Sequence, residues 1–256
     1  MLKGQRNQGA AREVVGRLFP RSCSLCGEIG PHEDPCPDCV RSLDALLHGT
    51  ACPRCAAPLM VTAGEVPPPA AGPALTPCAA CLSHPPPFDR VVAPWSFAPP
   101  LSGLIHRMKY RRDLAAAVAL GRLLAREVNT RRGTTPPPGA VIGVPLSRRR
   151  LLYRGFNHAA ELAAIVRRAL GLRTIRGVHI DRRHTPPQAK AESVAERLAN
   201  VDGAFIVRRW PADLREVAIV DDVLTTGATA SAMAGALRDR GVERVEVWCC
   251  ARTPHS

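Results

Sequence analysis

Lysine is nearly missing from this 256-residue chain. Only Lys3, Lys109 and Lys190 are present, so 32 of the 35 basic side chains (35 − 3) are arginines. Aromatic residues make up 4% of the chain and include two tyrosines. That scarcity leaves no visible platform on which successive bases could stack. No run of about eighteen apolar residues occurs, which excludes a hydrophobic membrane-spanning helix. The polar stretch Met1–Ala10 has no signal-peptide apolar core, so a cytoplasmic location is expected. Acidic residues number 22, giving a formal net charge of +13. An arginine-rich surface suits phosphates and nucleic acids, yet abundant Ala and Pro alongside it also fit a GC-rich coding bias.

Cysteine is plentiful by contrast. In a cytosolic chain, ten cysteines argue for metal sites over disulfides. Eight fall into four Cys-x-x-Cys pairs: Cys23/Cys26, Cys36/Cys39, Cys52/Cys55 and Cys78/Cys81. One such turn points two thiolates at one ion, and two turns complete a tetrahedron. No βαβ pattern surrounds them, which disfavours a redox dithiol. The spacing points to a double zinc ribbon over residues 20–87, holding structural Zn²⁺, most simply two ions with sequential pairing. Interleaved pairing or a vacant second site are the alternatives. His32, His48 and His84 are expected at the surface, since the thiolate set is complete. The Pro- and Ala-rich insertion Val61–Pro77 cannot form a core and reads as a mobile loop. Residues 1–9 form a tail, residues 10–19 a short amphipathic helix, and Pro85–Pro87 a linker.

Residues 88–256 alternate strand and helix patterns, which implies a mostly parallel α/β sheet with flanking helices. Strands are expected at Arg90–Phe97, Ala140–Pro145, Gly177–Ile180, Ala204–Val207, Val217–Val220 and Glu243–Cys250. Helices are expected at Leu101–Tyr110, Leu114–Val128, Asn157–Leu170 and Ala228–Arg240. Leu146–Phe156 reads as a basic loop. Cys249 and Cys250 lie in an apolar strand and read as packing residues.

One stretch carries the chemistry. The apolar strand Val217–Val220 ends in two carboxylates, Asp221 and Asp222. A hydroxyl-rich turn, Thr225-Thr226-Gly227, leads into a helix. Gly227 permits close approach of an anion, and turn amides with a helix N-terminus cradle phosphate. Thr225, Thr226 and Thr229 can add hydroxyl donors. The carboxylates suit sugar hydroxyls or Mg²⁺. The stretch therefore reads as a ribose 5-phosphate site.

This segment resembles the 5-phosphoribosyl 1-diphosphate (PRPP) signature of type I phosphoribosyltransferases. The resemblance implies that Asp221 and Asp222 are the catalytic pair holding the ribose hydroxyls. It implies that Leu224, Thr225, Thr226, Gly227, Ala228 and Thr229 hold the 5′-phosphate, with Mg²⁺ accompanying PRPP. It also implies a diphosphate loop at Ser147 and Arg148, with Arg149, Arg150 and Arg154 adding charge, and a flexible hood at Arg182–Asn200, where Thr185 and Gln188 touch substrate. Thr225 stands where hypoxanthine–guanine-type enzymes carry an acidic base, so base activation of that kind is missing from the motif. Further matches at Pro99–Leu114 (with Lys109-Tyr110), Val144–Arg150, Arg154–His158 and Arg182–Phe205 (with Arg197 and Asn200), together with the Cys-rich N-terminus, resemble the ComF family of competence proteins. That resemblance implies a phosphoribosyltransferase-like domain associated with DNA uptake, acting on an unidentified acceptor. The alternative it carries is a non-catalytic accessory protein that binds single-stranded DNA or a competence helicase, with PRPP as a regulatory ligand. Either a monomer or an oligomer is compatible with the sequence.

Overall fold

A computed structural model describes residues 21–30, 34–59, 76–183 and 203–253. The helix expected at 10–19, nearly all of the 61–77 insertion, His32, and the hood residues Thr185, Gln188, Arg197 and Asn200 lie outside the described residues.

The chain begins with two similar halves. In the first, β1 (Arg21–Ser22) pairs antiparallel with β2 (Ile29–Gly30), and the Cys23–Cys26 turn lies between them. Helix α1 (Pro37–Asp44) then starts on Cys36. The second half repeats the plan: the Cys52–Cys55 turn is followed, after the insertion, by α2 (Ala79–Ser83), which starts on Cys78. In both halves the residue after the second cysteine has positive φ, +79° at Gly27 and +54° at Ala56.

The larger part is a five-stranded, wholly parallel sheet. Its strands are β3 (Arg90–Val92), β4 (Trp95–Ser96), β5 (Ala140–Gly143), β8 (Glu216–Leu224) and β9 (Arg244–Arg252). The order is β3-β9-β8-β5, with β4 also on β9. The expected strand Arg90–Phe97 is split in two, because Pro94 has no N–H to give a ladder. The final strand β9 lies inside the sheet, covered on both faces, and Cys249 and Cys250 are fully buried there. A separate antiparallel pair joins β6 (His179–Arg182) to β7 (Phe205–Arg209), with β6 two residues later than expected.

Side chains alternate across a strand, so β8 and β9 feed two cores. Ala218, Val220, Trp248 and Cys250 pack with α3 (Leu101–Arg111), α4 (Leu114–Arg132) and α6 (His158–Ala169). Val217, Ile219, Val245 and Val247 pack with α7 (Ala228–Arg238) on the other face. The expected loop at Leu146–Phe156 is largely helical: α5 spans Arg148–Arg154. Arginine and leucine are good helix formers, and Gly155 at φ +78° ends the helix. Gly143 lets β5 approach α6, since a Cβ there would stand 2.4 Å from the Ala159 backbone.

The ribbon is docked on the sheet domain. Leu43 is fully buried in the same core as Trp95. Leu47 bridges Trp95, His48 N–H donates to Pro94 O at 2.8 Å, and Ser96 N–H donates to Leu46 O at 2.9 Å. Arg107 on α3 reaches Ser24 O at 2.5 Å and Asp113 Oδ2 at 2.8 Å. The Pro85–Pro87 stretch is pinned at its end, with Arg238 Nε donating to Pro87 O at 3.0 Å.

Candidate functional site

The four Cys pairs gather sequentially. Cys23, Cys26, Cys36 and Cys39 form one cluster; Cys52, Cys55, Cys78 and Cys81 form the other, with the Sγ atoms of each within 4.8 Å of one another. Each cluster has the same internal bond: Cys36 N–H points to Cys23 Sγ at 3.4 Å, and Cys78 N–H to Cys52 Sγ at 3.3 Å. Burial alone would raise the Cys23 and Cys52 thiols. Backbone N–H groups outweigh it and bring them down to about 6 and about 7. Thiolates held by amides at the mouth of a tetrahedral set fit structural zinc, and the two sets are compatible with two ions. His84 is exposed and His48 half-buried at the seam, where it faces Ser96 Oγ at 3.4 Å instead of sitting at the surface. Neither belongs to a cluster.

The second site lies beyond the carboxyl ends of the parallel strands, where α/β folds place ligands. Gly227 has φ +81° and caps α7. Thr226 Oγ1 accepts from Ala228 N at 3.3 Å, tightening the turn. Asp221, Val223 and the run Leu224–Thr229 line a cleft with Val144 and Ile219. The turn residues singled out in the sequence are thus brought to one cavity, together with Asp221.

Asp222 is placed differently. The strand does not stop before the carboxylates; it continues to Leu224, so the two acids alternate across it. Asp222 is only 3% exposed, and Lys109 Nζ forms an ion pair with its Oδ2. His158 Nε2 lies 3.7 Å from the same oxygen. The two carboxylates therefore do not act as one pair: Asp222 is buried, while Asp221 is half-buried and lines the cleft. Burial, then the charges of Lys109, Arg154 and Arg182, depress His158 to about 3, so it is neutral here. Burial raises Asp221, against the pull of Lys109, Arg182 and Arg154. Burial also lowers Lys109 and, with Arg150 next, takes Arg182 down to about 10.

Sequence reasoning missed Lys109, His158 and Arg182 as site residues. A signal for Lys109 existed: it is one of three lysines in a chain that otherwise uses arginine, and lysine presents a compact charge in place of a planar guanidinium. Ser147 is buried at the start of α5, while Arg148 is exposed on its first turn. Both follow β5, whose extension pairs Val144 N with Val220 O at 2.9 Å beside the carboxylate strand. The hydroxyl and hood contacts expected of Thr185 and Gln188 lie outside the described residues.

These features define a class: a double zinc ribbon docked on a parallel α/β domain with a cleft at the sheet's carboxyl end lined by Asp221 and a threonine-rich turn. A double zinc ribbon family model matches residues 14–82. The DNA utilization protein YhgH of Escherichia coli O6:H1 is 37% identical over 239 residues, covering 91% of this chain and 98% of that protein. Its Salmonella typhi counterpart is 37% identical over 242 residues, with the same shares covered. Competence protein F of Haemophilus influenzae is 35% identical over 179 residues, covering 68% of this chain and 78% of that one. The chain belongs to the family of these DNA utilization and competence proteins. A solved structure described as the allosteric regulatory enzyme of purine biosynthesis aligns with a TM-score of 0.32 at 22% identity, covering 52% of this chain and 25% of that one. No helix among the described residues is long and apolar enough to cross a membrane.

Proposed function

We propose that the turn after β8 holds the 5′-phosphate of PRPP and that Asp221 accepts from its ribose hydroxyls. The chain then transfers ribose 5-phosphate to an unidentified acceptor. The C1–oxygen bond breaks, its electron pair leaves with diphosphate, and the acceptor nucleophile bonds to C1. The observation that carries this reading is the joining of Asp221 and the Leu224–Thr229 turn in one cleft, in a segment similar to the PRPP signature. The surrounding positive charge of Lys109, Arg154 and Arg182 suits an anionic donor and a departing diphosphate. Ser147 and Arg148 are the candidates to meet that diphosphate; Thr185 and Gln188 are candidates to close over it. Catalysis is then mostly positioning and charge stabilisation.

His158, Asp221 and Asp222 offer donor atoms within 4.8 Å of one another. Mg²⁺ prefers an all-oxygen shell, and Asp222 is already engaged by Lys109. The donor set fits Mg²⁺ that arrives on the diphosphate and meets Asp221 better than a resident ion. Calorimetry with PRPP, with and without Mg²⁺, tests binding. Diphosphate release, with and without single-stranded DNA, tests transfer. A folded protein without PRPP affinity overturns the reading.

A second reading has its own support. Both tyrosines of the chain are exposed, Tyr110 at 58% and Tyr153 at 86%, with Leu152 at 85%. Arg154 lies over the Tyr110 ring at 5.4 Å, and the His106 ring packs against it tilted at 44°, with centroids 4.6 Å apart. Aromatic faces among arginines suit single-stranded nucleic acid, and the relatives' names point to DNA. In this reading the protein binds single-stranded DNA or a helicase, and PRPP regulates it.

A further inference from the structure

We propose that Arg252 aims the backbone amides of Thr225 and Thr226 at the 5′-phosphate by holding the two carbonyls behind them. This rests on reading the β8–α7 turn as a phosphate site. Leu224 is the last residue of β8 and is paired with Arg252 on β9. Its carbonyl faces β9, where Thr253 N donates to it at 3.0 Å. Successive carbonyls of a strand face opposite sides, so in a continuing strand the Thr225 carbonyl would face away from β9. Here it does not. Arg252 Nη1 donates to Leu224 O at 3.4 Å and also to Thr225 O, so both carbonyls lie on the Arg252 side.

A peptide unit is planar and trans, so its N–H points away from its C=O. With Leu224 O and Thr225 O held toward β9, the N–H groups of Thr225 and Thr226 face the opposite side. Thr225, Thr226 and Gly227 line the cleft there together with Asp221. Gly227, at φ +81°, then carries the chain into α7. Successive amides turned to one side make a concave anion site. A hydrogen bond to a carbonyl also polarises its peptide, which makes the N–H a stronger donor. The guanidinium thus acts through the turn, not on the ligand.

Arg252 is built for this task. Its backbone is held on both sides. It pairs with Leu224 of β8 and with Ser96 of β4, and Phe97 N donates to its carbonyl at 3.0 Å. Its side chain is only 2% exposed, so it has little freedom to swing away. Nη1 carries two N–H groups, one for each carbonyl, in a rigid fork. A lysine would offer a flexible point charge instead.

The test uses the full chain and two ligands: PRPP, and α-ribose 1-diphosphate, which is PRPP without its 5′-phosphate. Calorimetry gives both affinities, and thermal melts report the fold. Arg252→Met is expected to weaken PRPP about tenfold and to leave ribose 1-diphosphate unchanged. Arg252→Lys is expected to restore part of the loss, to within about threefold of the unaltered chain. A merely structural role would weaken both ligands alike. Equal weakening of both, or of neither, in a folded Arg252→Met chain overturns the proposal. Where that variant does not fold, Arg252→Lys decides by the same comparison. Where neither folds, amide spectra of the unaltered chain decide: PRPP should shift the Thr225 and Thr226 N–H signals and ribose 1-diphosphate should not, and unmoved signals overturn the proposal. If the unaltered chain binds PRPP no better than ribose 1-diphosphate, the phosphate reading itself falls and takes this role of Arg252 with it.

Discussion

At the residue scale the two adjacent carboxylates part company. Asp221 lines the cleft, so Asp221→Asn is expected to weaken PRPP binding by at least about tenfold, roughly 1.4 kcal/mol, with little change in melting. Asp222→Asn leaves the Lys109 ammonium beside a neutral amide in a buried place. It is expected to cost roughly 3 kcal/mol of stability, and restoring a smaller neutral pair with Lys109→Met should recover part of it. Calorimetry paired with thermal melts separates the two effects; equal melting of both variants would contradict the placement of Asp222. Asp113 offers a pH test. Its Oδ1 caps α4 by accepting from Ala116 N at 3.0 Å, and Arg107 pairs with Oδ2. Burial would raise this carboxyl, but the Ala116 amide and Arg107 outweigh it and hold it below its ordinary value. A depressed carboxyl stabilises the fold above the ordinary carboxylate range, and that stability is lost as pH falls through the depressed value. Asp113→Ala should cost about 1 kcal/mol at neutral pH. Urea midpoints measured on both sides of that window should show the difference shrinking in acid.

At the element scale α5 has two faces of interest. Its start follows β5 next to the carboxylate strand, and its end exposes Leu152 and Tyr153. A seven-residue helix that leaves such side chains in water gains little from packing, so an interaction is the better account of them. Tyr153→Ala is expected to weaken binding of a labelled single strand by about tenfold, in line with roughly 1–3 kcal/mol per stacked base. PRPP affinity should stay as it is. Repeating the titration at two salt concentrations gives the electrostatic share, which should be large for this arginine-rich surface. Unchanged DNA affinity in the variant would remove Tyr153 from any DNA surface.

At the scale of the whole molecule, ribbon and sheet domain share one core. Leu43, from the helix that begins at Cys36, is packed with Trp95, Leu101 and Trp248. Burying a leucine stabilises by about 1.5–3 kcal/mol. Metal analysis of protein purified without added zinc should find two ions per chain. Because the two parts share a core, removing the ions with a chelator should lower the melting of the sheet domain as well as unfold the ribbon. A melt with two separate transitions, the upper one unmoved by chelation, would refute the shared core.

The sequence alone determined what depends on local chemistry. Four Cys-x-x-Cys turns without a βαβ context announce metal sites, and the strand Val217–Val220 reads as an apolar run without alternation because both faces are buried. The turn Thr225–Gly227 was legible because its conformation needs those residue types in that order. The pairing of the eight cysteines, the division of Asp221 from Asp222, and the partners Lys109, His158 and Arg252 were decided only by tertiary structure. Each depends on which distant segment is packed against a strand: α3 brings Lys109 to Asp222, α6 brings His158, and the end of β9 brings Arg252 under the turn. Local propensity ends within a few residues, whereas these contacts join segments far apart in the chain: Lys109 and Asp222 are 113 residues apart (222 − 109), His158 and Asp222 64 (222 − 158), and Arg252 and Thr225 27.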